Sequence, residues 1–212
     1  SKKTLSIVEL LTSGGIGGNL VMGTLGILSI VAIYILIERY SAIKKASQEN
    51  DSFLKSIKNF VEEKDFGAAK TLCKNTDSAI SRMIEKGVDR IDKPMTDISA
   101  AIENQGKLEV FKMENNLANL ATISGAAPMI GFLGTVIGMI VAFHEMASAG
   151  GNIDVAMLSQ GIYTAMVTTV AGLVVGITAF ISYNFLVSKV DKVVFTLEAK
   201  TTEFLDLLHH NA

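Results

Sequence analysis

The sequence predicts an all-α integral membrane protein, with three transmembrane helices and long helices that extend into a cytoplasmic helical domain. Two observations carry this expectation. From Asn115 to Ser188 there is no lysine or arginine, and the only acids are Glu145 and Asp154; a soluble domain rarely leaves so long a stretch uncharged. Three stretches, near residues 20–37, 117–143 and 155–187, come close to or exceed the roughly 20 apolar residues a helix needs to cross the hydrocarbon. Nearly half of the residues are hydrophobic (49%) and the net charge is −2. That balance argues against a nucleic-acid binder and against a disordered acidic tail.

Taken in order, residues 1–19 begin with Lys2 and Lys3 followed by apolar positions, as a signal peptide does, but Glu9 interrupts the apolar run. Leu5, Val8 and Leu11 suit a short amphipathic helix at the membrane interface. The first span, 20–38, is closed by Glu38 and Arg39. Residues 39–116 read as a helical cytoplasmic domain. Phe53, Ile57, Phe60 and Val61 recur at helix spacing after a cap at Asn50 or Asp51, and Ile80, Ile84 and Val88 repeat the pattern. Pro94 suits the first turn of a further helix, and no strong breaker follows before Pro128, so one long helix is expected to rise from here into the second span, 117–144. The acids and bases of this domain alternate, as on a solvated face. A turn at 145–154 leads to the third span, 155–187, and a helical tail occupies 188–212. The third span is longer than a bilayer requires and is expected to project into water.

Basic residues flank spans on the cytoplasmic side. Arg39, Lys44, Lys45, Lys107 and Lys112 border the first long loop and Lys189 and Lys192 follow the third span, whereas the turn EMASAGGNID has no basic residue. The amino terminus is thus expected outside, with the long loop and the carboxyl terminus inside. The basic loop ends near Arg39 and Lys112 suit anionic head groups. The lone Cys73 excludes an intrachain disulfide.

Glycine costs about 1 kcal/mol relative to alanine in an ordinary helix, yet GFLGTVIGMIVAF keeps three. Apolar burial does not drive helices together in lipid, so close backbone approach through small residues does much of that work. Gly131, Thr135, Gly138 and Ala142 share one face of the second span, and Ala165, Thr169, Gly172, Gly176 and Ala179 repeat the offsets on the third. Gly134 with Gly138 and Gly172 with Gly176 each form a GxxxG. Pro128 is expected to kink the second span. Thr135 on one helix and Thr164, Thr168 and Thr169 on the other lie near one level. They suit a weakly polar lumen, although a threonine hydroxyl also bonds readily to its own helix. No ionisable side chain lies in the middle of any span, so proton movement needs a titratable group from a partner. The chain carries no phosphate loop, metal-ligand cluster or nucleophile beside a base, so neither an enzyme nor a metal or cofactor site is expected.

The segments LANLATISGAAPMIGFLGTVIGMIVAF and LSQGIYTAMVTTVAGLVVGITAFISYN, in this order and spacing, resemble the paired signature of the MotA/TolQ/ExbB proton-channel family, in particular its ExbB and TolQ branch. The resemblance implies an energy-transducing subunit of a bacterial inner-membrane motor. Such subunits form pentamers whose second and third helices enclose a pore holding two single-span ExbD- or TolR-like chains. A membrane aspartate on those chains carries the proton, and the work is passed to a TonB-like protein or to the Tol envelope system. Thr135 and Thr169 match the family's pore-lining threonines. Relatives often carry a glutamate at the position of Thr164, and this departure leaves both the TonB and the Tol assignment open. A non-conducting oligomeric scaffold, built on the same glycine seams, is the alternative of a different class.

Overall fold

A computed structural model describes residues 15–47, 51–148 and 155–211. The interfacial segment expected before residue 15, the cap expected at Asn50 and most of the turn at 145–154 lie outside the described residues. Among the described residues seven helices follow one another: α1 (Gly15–Ala46), α2 (Asp51–Glu62), α3 (Phe66–Asn75), α4 (Ala79–Val88), α5 (Met95–Glu114), α6 (Leu117–Ser148) and α7 (Val155–Asn211). Among the described residues there is no strand. Three stretches of the described residues are long and apolar enough to cross a membrane: Gly17–Ala46, Met95–Ser148 and Leu158–His210.

The second of these is not one unbroken helix, as the absence of a strong breaker had suggested. The chain leaves the helix at Asn115 and re-enters after Asn116, which sits at φ 63°. Asparagine is among the few non-glycine residues that visit the left-handed region readily, and the Asn116 carbonyl then accepts from the Leu120 amide (3.2 Å) to start α6. In α7, by contrast, the third apolar stretch and the tail form one helix of 57 residues.

The chain divides into two compact units, Ser1–Leu36 with Asn116–Asn184, and Ile37–Asn115 with Phe185–Ala212. In the first, Val21 and Leu25 of α1 and Ala127 of α6 form a buried centre, with Ile130 of α6 and Val175 of α7 packed against it. The bulky side chains of these helices point mostly the other way. Leu20 and Ile30 of α1, Met129 and Phe132 of α6, and Val170 and Ile181 of α7 are all exposed. Small residues inside and large apolar residues outside are what a hydrocarbon solvent selects.

The second unit has the opposite pattern, that of a water-facing domain. Phe53, Ile57 and Val61 of α2, Ile80 and Ile84 of α4, Ile98 and Ile102 of α5, and Leu197, Phe204 and Leu208 of α7 are buried. The Asp65 carboxylate caps α3 through the Ala68 amide (2.9 Å). Ser78 and Ser81 form a reciprocal capping box that starts α4. Pro94, at φ −55°, immediately precedes α5, whose first amides return to its carbonyl.

Candidate functional site

The small-residue faces of α6 and α7 meet along a seam in which backbone touches backbone. A Cβ placed on Gly131 would lie 2.6 Å from the Thr168 carbonyl oxygen and 3.0 Å from the Gly172 Cα. One on Gly172 would lie 2.6 Å from the Ala127 carbonyl oxygen. One on Gly138 would meet the Ala165 Cβ at 3.0 Å, and one on Gly134 would collide with the Thr168 side chain and press on Val21 of α1. Sequence reasoning missed Gly161, where a Cβ would lie 2.5 Å from that of Ala142; its place one turn before Ala165 on the same stripe was the available signal. Pro128 lies inside α6 and leaves the Ser124 carbonyl without its usual amide donor. Gly176 covers this point, since a Cβ there would come within 2.5 Å of the Pro128 ring and 3.0 Å of the Ser124 oxygen.

Threonines stitch the seam. Thr168 donates to its own-helix Ala165 carbonyl (2.8 Å) and lies 3.1 Å from the Gly131 carbonyl across the interface. The Thr135 hydroxyl donates to the Ala165 carbonyl (2.9 Å) and contacts the Thr169 hydroxyl, which also lies 3.3 Å from the Gly131 oxygen. The four threonines thus fall into two pairs. Thr164 and Thr168 are buried, at 8% and 2% exposure, among helices of the same unit. Thr135 and Thr169 are half-buried. A hydroxyl has one proton and two acceptor positions, so a Thr135 that donates to Ala165 still offers its oxygen to Thr169, to water or to an incoming acid.

The second unit holds a buried ionic network that the alternating charges did not reveal. Glu109 of α5 is 2% exposed and accepts from Nε and Nη2 of Arg82 (3.0 and 2.7 Å), from Gln105 (2.8 Å) and from Lys112 (3.0 Å). Burial pushes its carboxyl up, but Arg82 and Lys112 together outweigh that and hold it below the usual carboxylate range. Arg82 also donates to Asp77 (2.9 Å), which Lys45 of α1 meets at 2.6 Å. Arg39 is buried, with its guanidinium on Glu38 and on the Lys112 carbonyl (2.7 Å). Arg39 and Lys112, which the sequence offered to anionic head groups, are therefore engaged internally.

Neither unit holds a group of three potential metal ligands among the described residues. The MotA/TolQ/ExbB proton channel family profile matches residues 75–199, which include α4 to α6 and most of α7. The chain belongs to this family. It is 27% identical over 195 residues to an ExbB homolog of Methanothermobacter thermautotrophicus, covering 91% of this chain and 67% of that protein. It is 24% identical to the Tol-Pal system protein TolQ of Pseudomonas aeruginosa, covering 96% of this chain and 93% of the relative. A shorter match, 39% over 79 residues, joins it to the biopolymer transport protein ExbB of Helicobacter pylori, covering 37% of this chain and 54% of that one. With its three apolar stretches, this family member is a multi-pass membrane protein.

Proposed function

We propose that this chain is the proton-channel subunit of a bacterial inner-membrane motor that couples the proton-motive force to transport through an ExbD-like partner and TonB. Five copies would surround two single-span partner chains, with α6 and α7 facing the centre. The observation that carries the reading is chemical. No aspartate, glutamate, lysine, arginine or histidine lies in the middle of any apolar span, while Thr135 and Thr169 form a hydroxyl pair on a half-buried face. Such a pair relays or solvates a proton but does not hold one, so the titrating carboxylate belongs to the partner. Thr168 and Thr164, being buried in their own unit, serve packing in this reading rather than the pore.

A TolQ-like role in a Tol-Pal system is the second reading, favoured by the near full-length match to the P. aeruginosa protein. Both differ from a non-conducting scaffold in one measurement, proton flux into liposomes. Flux is expected when this chain is reconstituted with a single-span partner, and it should vanish when the partner's membrane aspartate is replaced by asparagine. Thr169→Val should lower flux severalfold with the assembled complex intact by mass. Intact complexes that never conduct would favour the scaffold, and full flux from Thr169→Val would remove the threonine pair from the pathway.

A further inference from the structure

We propose that the second unit carries a binding site for the phosphate of an anionic phospholipid, in a cavity between the end of α1 and the part of α7 beyond its apolar stretch. The cavity has a volume of about 350 Å³ and draws Lys44 from α1 and Lys189, Lys192 and Lys200 from α7. Among the described residues that line it, none is acidic. Four ammonium groups around one cavity repel each other unless an anion joins them. The described residues supply little of that anion: Lys200 has Glu203 only at 3.8 Å, and Lys189 lies 5.5 Å above the Phe185 ring. The neighbouring Lys45, in contrast, is neutralised by Asp77 and does not line the cavity.

The Tyr40 hydroxyl adds to the ammonium groups, Ser47 and Thr196 donate to the Lys44 and Lys192 carbonyls of their own helices (3.1 Å each), and Ile43, Val193 and Leu197 supply apolar wall. Phosphate is the chemistry that this donor set recognises, since four ammonium groups and one phenol hydroxyl line the cavity with no competing carboxylate among the described residues. Position selects a lipid as its source. The apolar run of α1 ends at Ile37 and that of α7 at Val187, so Tyr40, Lys44, Lys189 and Lys192 occupy the next one or two helical turns of their helices, roughly 3–10 Å further on. Tyr40, stacked on Phe185 at 6.1 Å, is the amphipathic ring expected at head-group depth. Basic residues just past a span attract anionic lipid.

Native mass spectrometry on the full chain in detergent tests the assignment, with phosphatidylglycerol and phosphatidylcholine titrated separately. Phosphatidylglycerol should bind at least tenfold more tightly. The triple variant Lys44→Gln, Lys189→Gln, Lys192→Gln should lose that preference, the corresponding triple arginine variant should keep it, and so should Lys45→Gln. Equal binding of the two lipids, or an unchanged preference in the triple glutamine variant, would overturn the site. A second arm offers inorganic phosphate and glycerol phosphate at millimolar concentration. Neither should displace the lipid; displacement at the lipid's own concentration would reassign the cavity to a soluble phosphate.

Discussion

Glu109 shows how one side chain organises the water-facing unit. Its carboxylate joins α5 to α4 through Arg82, and the same guanidinium reaches Asp77, which receives Lys45 from α1. Removing one partner of a buried, hydrogen-bonded charge leaves the other unsatisfied. Arg82 retains Asp77, so Glu109→Gln is expected to cost only about 2 kcal/mol near neutral pH. The pH dependence has a definite sign. The folded state holds this carboxyl below its ordinary value, so its contribution is complete above the unfolded pKa of about 4.3 and is lost as pH falls through the folded value. Chemical unfolding in detergent should therefore show the gap between wild type and Glu109→Gln narrowing below about pH 4. A constant gap down to pH 2 would mean that ionisation of Glu109 contributes nothing. Sequence reading took these charges for a solvated face because Arg82 and Glu109 stand 27 positions apart, and only the packing of α4 on α5 brings them together.

Between elements, the α6–α7 seam depends on missing side chains. At Gly172 the nearest atoms to an added Cβ belong to backbone, the Ala127 carbonyl and Gly131 itself, and backbone cannot rotate aside. Gly172→Ala should cost about 1–3 kcal/mol through forced separation of the helices. Gly26 of α1 has nothing within 4 Å of an added Cβ, so Gly26→Ala should be neutral or stabilise by up to about 1 kcal/mol. Thermal unfolding of the two variants in one detergent makes the comparison, and equal destabilisation would sink the contact argument. The seam was largely legible in the sequence because lipid-embedded packing leaves a compositional stripe at helical spacing. The interruption at Asn115–Asn116 was not, since asparagine breaks a helix only when its neighbours require the left-handed turn. Nor could a level of threonines along two helices reveal that Thr168 turns inward while Thr135 and Thr169 stay half-buried; that depends on where α1 packs.

For the whole molecule, the remaining question is which way the chain lies in the membrane, and the charge distribution makes a definite prediction. Lysine and arginine are absent from Asn115 to Ser188 and dense on both sides of that stretch. Short flanks rich in basic residues stay in the cytoplasm, so the end of α6 near Ala147 should face the periplasm and the end of α7 near Thr202 the cytoplasm. Both positions are exposed and suit labelling through Ala147→Cys and Thr202→Cys. The native thiol gives little background, because Cys73 is buried, and that burial, with Glu85 and Asp89 nearby, pushes its pKa up to about 12. A thiol so raised is almost entirely protonated at neutral pH and unreactive. A membrane-impermeant maleimide added to intact spheroplasts should label the cysteine at 147 within minutes and leave the one at 202 unmodified until the membrane is permeabilised. The reverse order would invert the topology and place the lysine-lined cavity on the periplasmic face. Labelling of both in intact cells would mean that the helices carrying them do not end on opposite sides, which the uninterrupted apolar stretches of α6 and α7 argue against.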